Sequence, residues 1–134
     1  MTIATKNPKH RKVFICSPYR PRGETEAERS EDLKINREMA KRACDLAVSY
    51  GYMPLAPHLY FTQFLSDDDP MEREDGIQFG IEWLDECDEL WVIGNRITKG
   101  MQREIRAARS KGIPICSVAF QKSEMWRLLE EMIL

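Results

Sequence analysis

Four short apolar runs alternate with longer helical patterns along this chain, and this alternation limits the fold more than any other feature. Each run has only four to six residues and is bounded by turn or charged residues, which predicts a buried strand rather than a helix. Strands that alternate with helices form βαβ units, in which helices cover both faces of a parallel sheet. The predicted strands are Val13–Cys16, Tyr52–Ala56, Glu89–Ile93 and Ile113–Val118.

Between and after these runs, apolar side chains recur at steps of three or four residues, a spacing that is typical of amphipathic helices. We interpret the polar segment Pro57–Pro70 as a loop, with Asp69 and Pro70 starting the helix that follows it. The predicted helices are Glu24–Ser49, Met71–Cys87, Met101–Lys111 and Lys122–Leu134.

The position of Pro54 inside the second run indicates how the strands are ordered. Proline cannot donate a ladder hydrogen bond, so it favours an edge strand. The order 2-1-3-4, with right-handed crossovers, places that strand at the edge. We therefore predict an α/β fold, a single-domain Rossmann-like or flavodoxin-like three-layer sandwich with a parallel sheet of four or five strands. Its ligand site should lie between strands one and three, in the loops of residues 17–23 and 94–100.

Composition excludes several classes of protein. The 134 residues carry 20 basic and 22 acidic side chains, and this net charge of −2 argues against binding of a nucleic acid polymer. No apolar run is long enough to span a bilayer, and no export signal is recognisable. We expect a cytoplasmic protein that binds no membrane, with a flexible segment at 1–11 and one domain at 12–134.

The four cysteines carry no metal or disulfide signature, because no C-x-x-C pair is present. Each lies in an apolar stretch, which favours a structural role; a catalytic thiol, a metal ligand or a disulfide are the alternatives. The cysteines are Cys16, Cys44, Cys87 and Cys116.

The loop after the first strand combines a hydroxyl, a phenol and two guanidinium groups, and such groups can bind phosphate or carboxylate. It matches neither the dinucleotide-binding nor the P-loop fingerprint. The alternative is a solvated loop whose arginines balance the glutamates after it. The polar side chains are Ser17, Tyr19, Arg20 and Arg22.

The loop after the third strand leads through Gly100 to Glu104. We expect the positive end of the helix dipole to favour the ionised form of this carboxylate, which could then attack a sugar carbon. The alternative is a glutamate that stabilises the helix start for the same reason. His58 could line the cleft, but no partners for a catalytic triad are recognisable.

Aromatic residues leave two interpretations open. Tyr60 and Phe61 could stack on a base or pack in the core. Trp83, Trp91 and Trp126 are best explained as core or subunit-interface residues.

Three segments resemble the nucleoside 2-deoxyribosyltransferase-like superfamily, including its 2′-deoxynucleoside 5′-monophosphate N-glycosidase branch and small bacterial and phage relatives. Lys12–Arg20 resembles the first strand of that superfamily and its sugar- and phosphate-binding loop. Glu82–Val92 is similar to its helix-to-strand passage, and Gly100–Ala108 resembles its G-x-x-x-E-x-x-x-A segment.

The resemblance implies roles for these residues. Glu104 is the implied nucleophile, Tyr19 its orienting group, and Ser17 and Arg20 contacts to the sugar or 5′-phosphate. It also implies a small-molecule nucleoside or nucleotide as partner, no metal or other cofactor, and a homodimer or larger homo-oligomer. We expect the remaining substrate contacts at Arg22, His58, Asn95 and Gly100.

One position departs from the superfamily. Its enzymes carry an aspartate three residues before the tryptophan, where this chain has Gly80, and Asp75 lies five residues earlier. The hypotheses are therefore an enzyme that cleaves or exchanges an N-glycosidic bond, a non-catalytic nucleotide-binding module on the same fold, and a structural subunit with a vestigial cleft.

Overall fold

A parallel four-stranded sheet forms the centre of the structure, a computed structural model that describes residues 9–119. The strand order is β2-β1-β3-β4, which confirms the predicted topology and places Pro54 on an edge strand. The register aligns Phe14 with Leu55 on one side and with Leu90 on the other. The strands are β1 (Lys12–Cys16), β2 (Met53–Leu55), β3 (Glu89–Ile93) and β4 (Ile115–Val118).

Capping side chains fix the starts of the three long helices. Thr25 and Glu28 form a capping box, and the Thr98 hydroxyl accepts a hydrogen bond from the Met101 backbone. Asp69 accepts from the two backbone N–H groups that follow Pro70, which confirms the predicted helix start. The predicted helix Lys122–Leu134 lies outside the described residues. The helices are α1 (Glu26–Ser49), α2 (Pro57–Tyr60), α3 (Pro70–Leu84) and α4 (Lys99–Lys111).

The prediction of a continuous loop over Pro57–Pro70 is wrong in its first half. This half forms α2 and a 3₁₀ turn at Phe61–Gln63. Pro57 occupies the first position of α2, where its fixed φ suits a helix. Phe61 is only 9% exposed, and its ring lies 4.8 Å from that of Trp83. Burial of this aromatic side chain stabilises the turn against α3.

The apolar core lies on both faces of the sheet, because successive strand residues point to opposite sides. Val13, Ile15 and Trp91 pack against Ala43 and Ala47 of α1. On the other face, the side chains of β1 and β3 pack against α3 and α4. This arrangement is the predicted three-layer sandwich. None of the helices among residues 9–119 is both long and apolar enough to cross a membrane.

None of the four cysteines, all of which lie within residues 9–119, forms a disulfide. Burial raises the pKa of Cys44 to about 11 and that of Cys87 to about 12, so both remain protonated at neutral pH. Thiols in this state behave as small apolar side chains, in agreement with the structural role that the sequence favours.

Candidate functional site

A pocket of about 390 Å³ opens beyond the carboxyl ends of β1 and β3. This is the switch point at which the sequence places a ligand site. Six of the eight predicted site residues line it: Ser17, Tyr19, Arg20, His58, Gly100 and Glu104. Side chains from α2 and α3 complete the walls, among them Phe61, Glu72, Arg73 and Ile77.

Glu104 lies in the second turn of α4, with its carboxyl group at the pocket wall. Burial raises its pKa to about 7, and a hydrogen bond with the Cys16 thiol opposes that rise. The expectation that the helix dipole favours the ionised form is therefore wrong. The dipole acts mainly within the first turn, which Glu104 has passed, and desolvation dominates.

The Cys16 thiol forms a hydrogen bond with Glu104, although Cys16 was not among the predicted site residues. Its sulfur is fully buried and lies 3.8 Å from the Met101 carbonyl oxygen. The Tyr19 hydroxyl, which we expected beside Glu104, accepts a hydrogen bond of 3.1 Å from Arg37. The only sequence signal for Cys16 was its place directly before Ser17.

Ser17 and His58 form a hydrogen-bonded pair in the pocket wall, with 2.7 Å between the hydroxyl oxygen and Nε2. The rings of His58 and Tyr19 form a T-shaped contact, with their centroids 5.7 Å apart. Burial lowers the pKa of His58 to about 4, so the imidazole is neutral at pH 7. The pair therefore offers the pocket uncharged donor and acceptor groups.

Two guanidinium groups from different elements meet at one carboxylate on the pocket rim. Arg20, in the loop after β1, lies 3.8 Å from the Asp67 carboxylate and donates to its backbone carbonyl oxygen. Arg73 of α3 lies 3.6 Å from the same carboxylate. Sequence reasoning identified Arg20 but not Arg73, which comes from a distant part of the chain.

Arg22 and Asn95 lie outside the pocket lining. The Arg22 backbone N–H donates to the Asp32 carboxylate at 2.6 Å, and its guanidinium lies 3.7 Å from the same group. Asn95 is exposed in the turn after β3. Their predicted contacts with substrate remain predictions.

Comparison with known families gives a match over most of the chain. Residues 11–118 match DUF7768, a domain of unknown function. The chain belongs to this family. No match was found among curated proteins.

The DUF7768 domain has the fold of a solved enzyme. Its structure is similar to that of a 2-deoxyribosyltransferase from the psychrotolerant bacterium Bacillus psychrosaccharolyticus, with a TM-score of 0.59 and 18% sequence identity. The similarity covers 88% of this chain and 78% of the enzyme chain. At this identity, the likeness establishes a shared fold.

Glycines of the DUF7768 domain differ in what surrounds them. A Cβ at Gly80 would lie 3.2 Å from Cβ of Pro57 and 3.8 Å from the Phe14 ring, so Gly80 permits a close crossing of α2 and α3. Gly80 itself does not line the pocket. A Cβ at Gly100 would meet only the Thr98 hydroxyl, at 3.9 Å. Gly100 thus leaves open space in the pocket.

The aromatic pair Tyr60 and Phe61 divides between the two proposed roles. Phe61 lines the pocket, whereas Tyr60 does not and instead packs against Trp83. Trp91 is 1% exposed and belongs to the core. Trp126 lies outside the described residues.

Proposed function

We propose that this DUF7768 protein cleaves or transfers the N-glycosidic bond of a nucleoside or a nucleoside monophosphate. The observation that carries the proposal is the half-buried Glu104 carboxyl, whose pKa desolvation raises to about 7, in a pocket between the two loops of the switch point. The fold shared with a 2-deoxyribosyltransferase and the resemblance of the segment around Glu104 support it.

In the proposed reaction, the ionised Glu104 oxygen attacks the anomeric carbon of the sugar. A C–O bond forms, the C–N bond breaks, and its electron pair goes to the base nitrogen, which takes up a proton. Water or an acceptor base then attacks the same carbon and releases the glutamate. Phe61 and Ile77 provide an apolar wall for the base. Arg20 and Arg73, which lie beside the Asp67 carboxylate, can bind an anionic group of the substrate instead of that carboxylate.

The departing base needs an acid, and we assign this role to Glu72. It lines the pocket, and within residues 9–119 it forms no ion pair, whereas Asp67 lies between two arginines. One carboxylate oxygen of Glu72 accepts the Ser66 backbone N–H at 2.9 Å, which leaves the other available. Asp75, on the same helix, is exposed and does not line the pocket.

Replacing Glu72 with glutamine should lower kcat for a natural nucleoside by about 100-fold, because general acid catalysis is lost. A substrate with a nitrophenolate leaving group needs no proton and should be cleaved at nearly the wild-type rate. Asp75→Asn is the matched control and should leave both rates unchanged. Equal losses on both substrates, or a loss in Asp75→Asn alone, would refute the assignment.

On the substrate with a nitrophenolate leaving group, which needs no acid, activity should rise with pH through about 7, because only the ionised Glu104 is nucleophilic. Below the pKa, kcat/KM should fall about tenfold per pH unit. His58 stays neutral across this range, so it does not contribute to the profile. Cys16→Ala removes the hydrogen bond that lowers the pKa of Glu104 and should move the midpoint upward. A flat profile between pH 5 and pH 9 would argue against Glu104.

The second candidate is a non-catalytic nucleotide-binding module. The observation in its favour is the pKa of Glu104 near 7, at which the carboxyl group is half protonated at neutral pH. The protonated form can donate a hydrogen bond to a ligand. Incubation with ribo- and deoxyribonucleosides and their 5′-monophosphates, followed by chromatography, separates the two. Released base supports the enzyme, whereas a raised melting temperature without released base supports the binder.

The homo-oligomer, the domain boundary at residue 12 and the cytoplasmic location stay predictions from the sequence. Size-exclusion chromatography with light scattering tests the first of these directly.

A further inference from the structure

Two loops of the pocket are tied to one side of α1, outside the pocket itself. Asp32 accepts the Arg22 backbone N–H from the loop after β1, and its carboxylate lies 3.7 Å from the Arg22 guanidinium. The same carboxylate lies 3.5 Å from the guanidinium of Arg96, in the loop after β3. A single side chain therefore bridges both loops.

Asn36, one helical turn further along α1, makes a second bridge. Its amide nitrogen donates to the Tyr19 carbonyl oxygen at 3.1 Å, and its amide oxygen accepts from Arg96 at 3.4 Å. Asn36 is 2% exposed, so both ends of a buried amide are used. The three side chains Asp32, Asn36 and Arg96 are called the clasp below, and none of them lines the pocket.

We propose that Asp32, Asn36 and Arg96 are positioning residues. The clasp that they form holds the two pocket loops in one arrangement, so that both loops become ordered together. The role in ligand binding rests on the proposed function, whereas the coupling of the loops does not. Through the clasp, α1 fixes the main chain that presents Ser17, Tyr19 and Arg20 relative to the start of α4.

Charge explains why the clasp couples the loops. Arg22 and Arg96 carry like charges and converge on Asp32. The Arg22 side chain is 68% exposed, whereas Arg96 and Asp32 are 24% and 14% exposed, so the interaction between Arg96 and Asp32 is the less screened of the two. Burial and the neighbouring Arg22 both lower the pKa of Arg96, and Asp32 opposes this effect. Without the carboxylate, the two guanidinium groups would lose the partner that they share, and like charge would disfavour their approach.

Backbone freedom explains why the loops need such a tie. Gly23 and Gly94 have φ values of +135° and +91°, a region in which glycine is favoured. If the loops adopt the arrangement that binds ligand only part of the time, the apparent affinity falls in proportion to the fraction of molecules in that arrangement. If loss of the clasp reduces that fraction to about a tenth, the apparent affinity falls about tenfold.

Hydrogen exchange of the full chain without ligand tests the coupling directly. In Asp32→Asn, exchange at the amides of both loops, residues 17–23 and 94–100, should rise about tenfold, while β1 and β3 stay protected. Arg96→Ala should also speed exchange in the 17–23 loop, although the substitution lies in the other loop. Glu38→Gln is the control, because Glu38 lies on the same helix in an exposed pair with Arg42.

Faster exchange in 94–100 alone, for either variant, would show that Arg96 acts only locally and would overturn the proposal. Unchanged exchange in both loops would overturn it as well. Ligand binding gives the second readout: in Asp32→Asn, KM or Kd for the active nucleoside or nucleotide should rise about tenfold, with a smaller change in kcat. If no nucleoside or nucleotide binds the wild type, the proposed function fails while the exchange result still decides the clasp.

Discussion

Glu104→Gln should abolish turnover, with kcat lowered by about 10³-fold or more, while nucleotide binding survives. Glutamine keeps the size and hydrogen-bonding capacity of the side chain but has no anionic oxygen to attack the anomeric carbon. Single-turnover assays with the best substrate of the nucleoside panel measure the loss, and a ligand-induced shift in melting temperature measures binding. Glu82→Gln, an exposed position on α3, is the matched control and should act like the wild type.

The stability of Glu104→Gln separates loss of chemistry from loss of folding. The folded protein holds the Glu104 proton up to a pH of about 7, whereas an unfolded glutamate releases it near 4.5. Wild-type stability should therefore fall as pH rises from about 4.5 to 7, and the glutamine variant lacks this loss. The variant should be the more stable protein at pH 8 and about equal at pH 4. Wild-type rates of base release in the folded variant would exclude Glu104 as the nucleophile.

The sheet could be predicted from sequence because its signals are local. The apolar run of β3 is bounded by Asp88 and Gly94, and its limits were predicted to the residue. Pro54 marked the edge strand, and the edge strand fixed the order. The position of the pocket then follows from topology, since parallel strands end on the same side of a sheet.

Features that depend on distant parts of the chain were not predictable. The ionisation state of Glu104 is set by desolvation, which the sequence around α4 does not reveal. Arg22 and Arg73 have the same charge, but only Arg73 lines the pocket, because Asp32 holds Arg22 against α1. Burial of Phe61 against Trp83 converted a segment with loop composition into α2 and its 3₁₀ turn.

Gly80→Asp should destabilise the fold by about 2–6 kcal/mol. The new Cβ would approach the rigid Pro57 ring at 3.2–3.3 Å, and overpacking of this kind costs about 1–3 kcal/mol. Its carboxyl group would lie in a buried crossing beside Phe14, where an unpaired polar group adds about 1–3 kcal/mol. Urea unfolding at pH 7 measures the change.

Gly76→Asp is the matched control, because Gly76 lies one turn earlier on α3 and a Cβ there would meet only ordinary contacts at 3.8–4.0 Å. Its stability should stay within about 1 kcal/mol of the wild type. The pair tests whether packing explains the glycine at position 80. If Gly80→Asp is much less stable than Gly76→Asp, the helix crossing rejects a carboxylate, and an acid for the proposed reaction has to lie elsewhere in the pocket, as assigned to Glu72. If the two variants are equally stable, the crossing tolerates a carboxylate and packing does not explain the glycine.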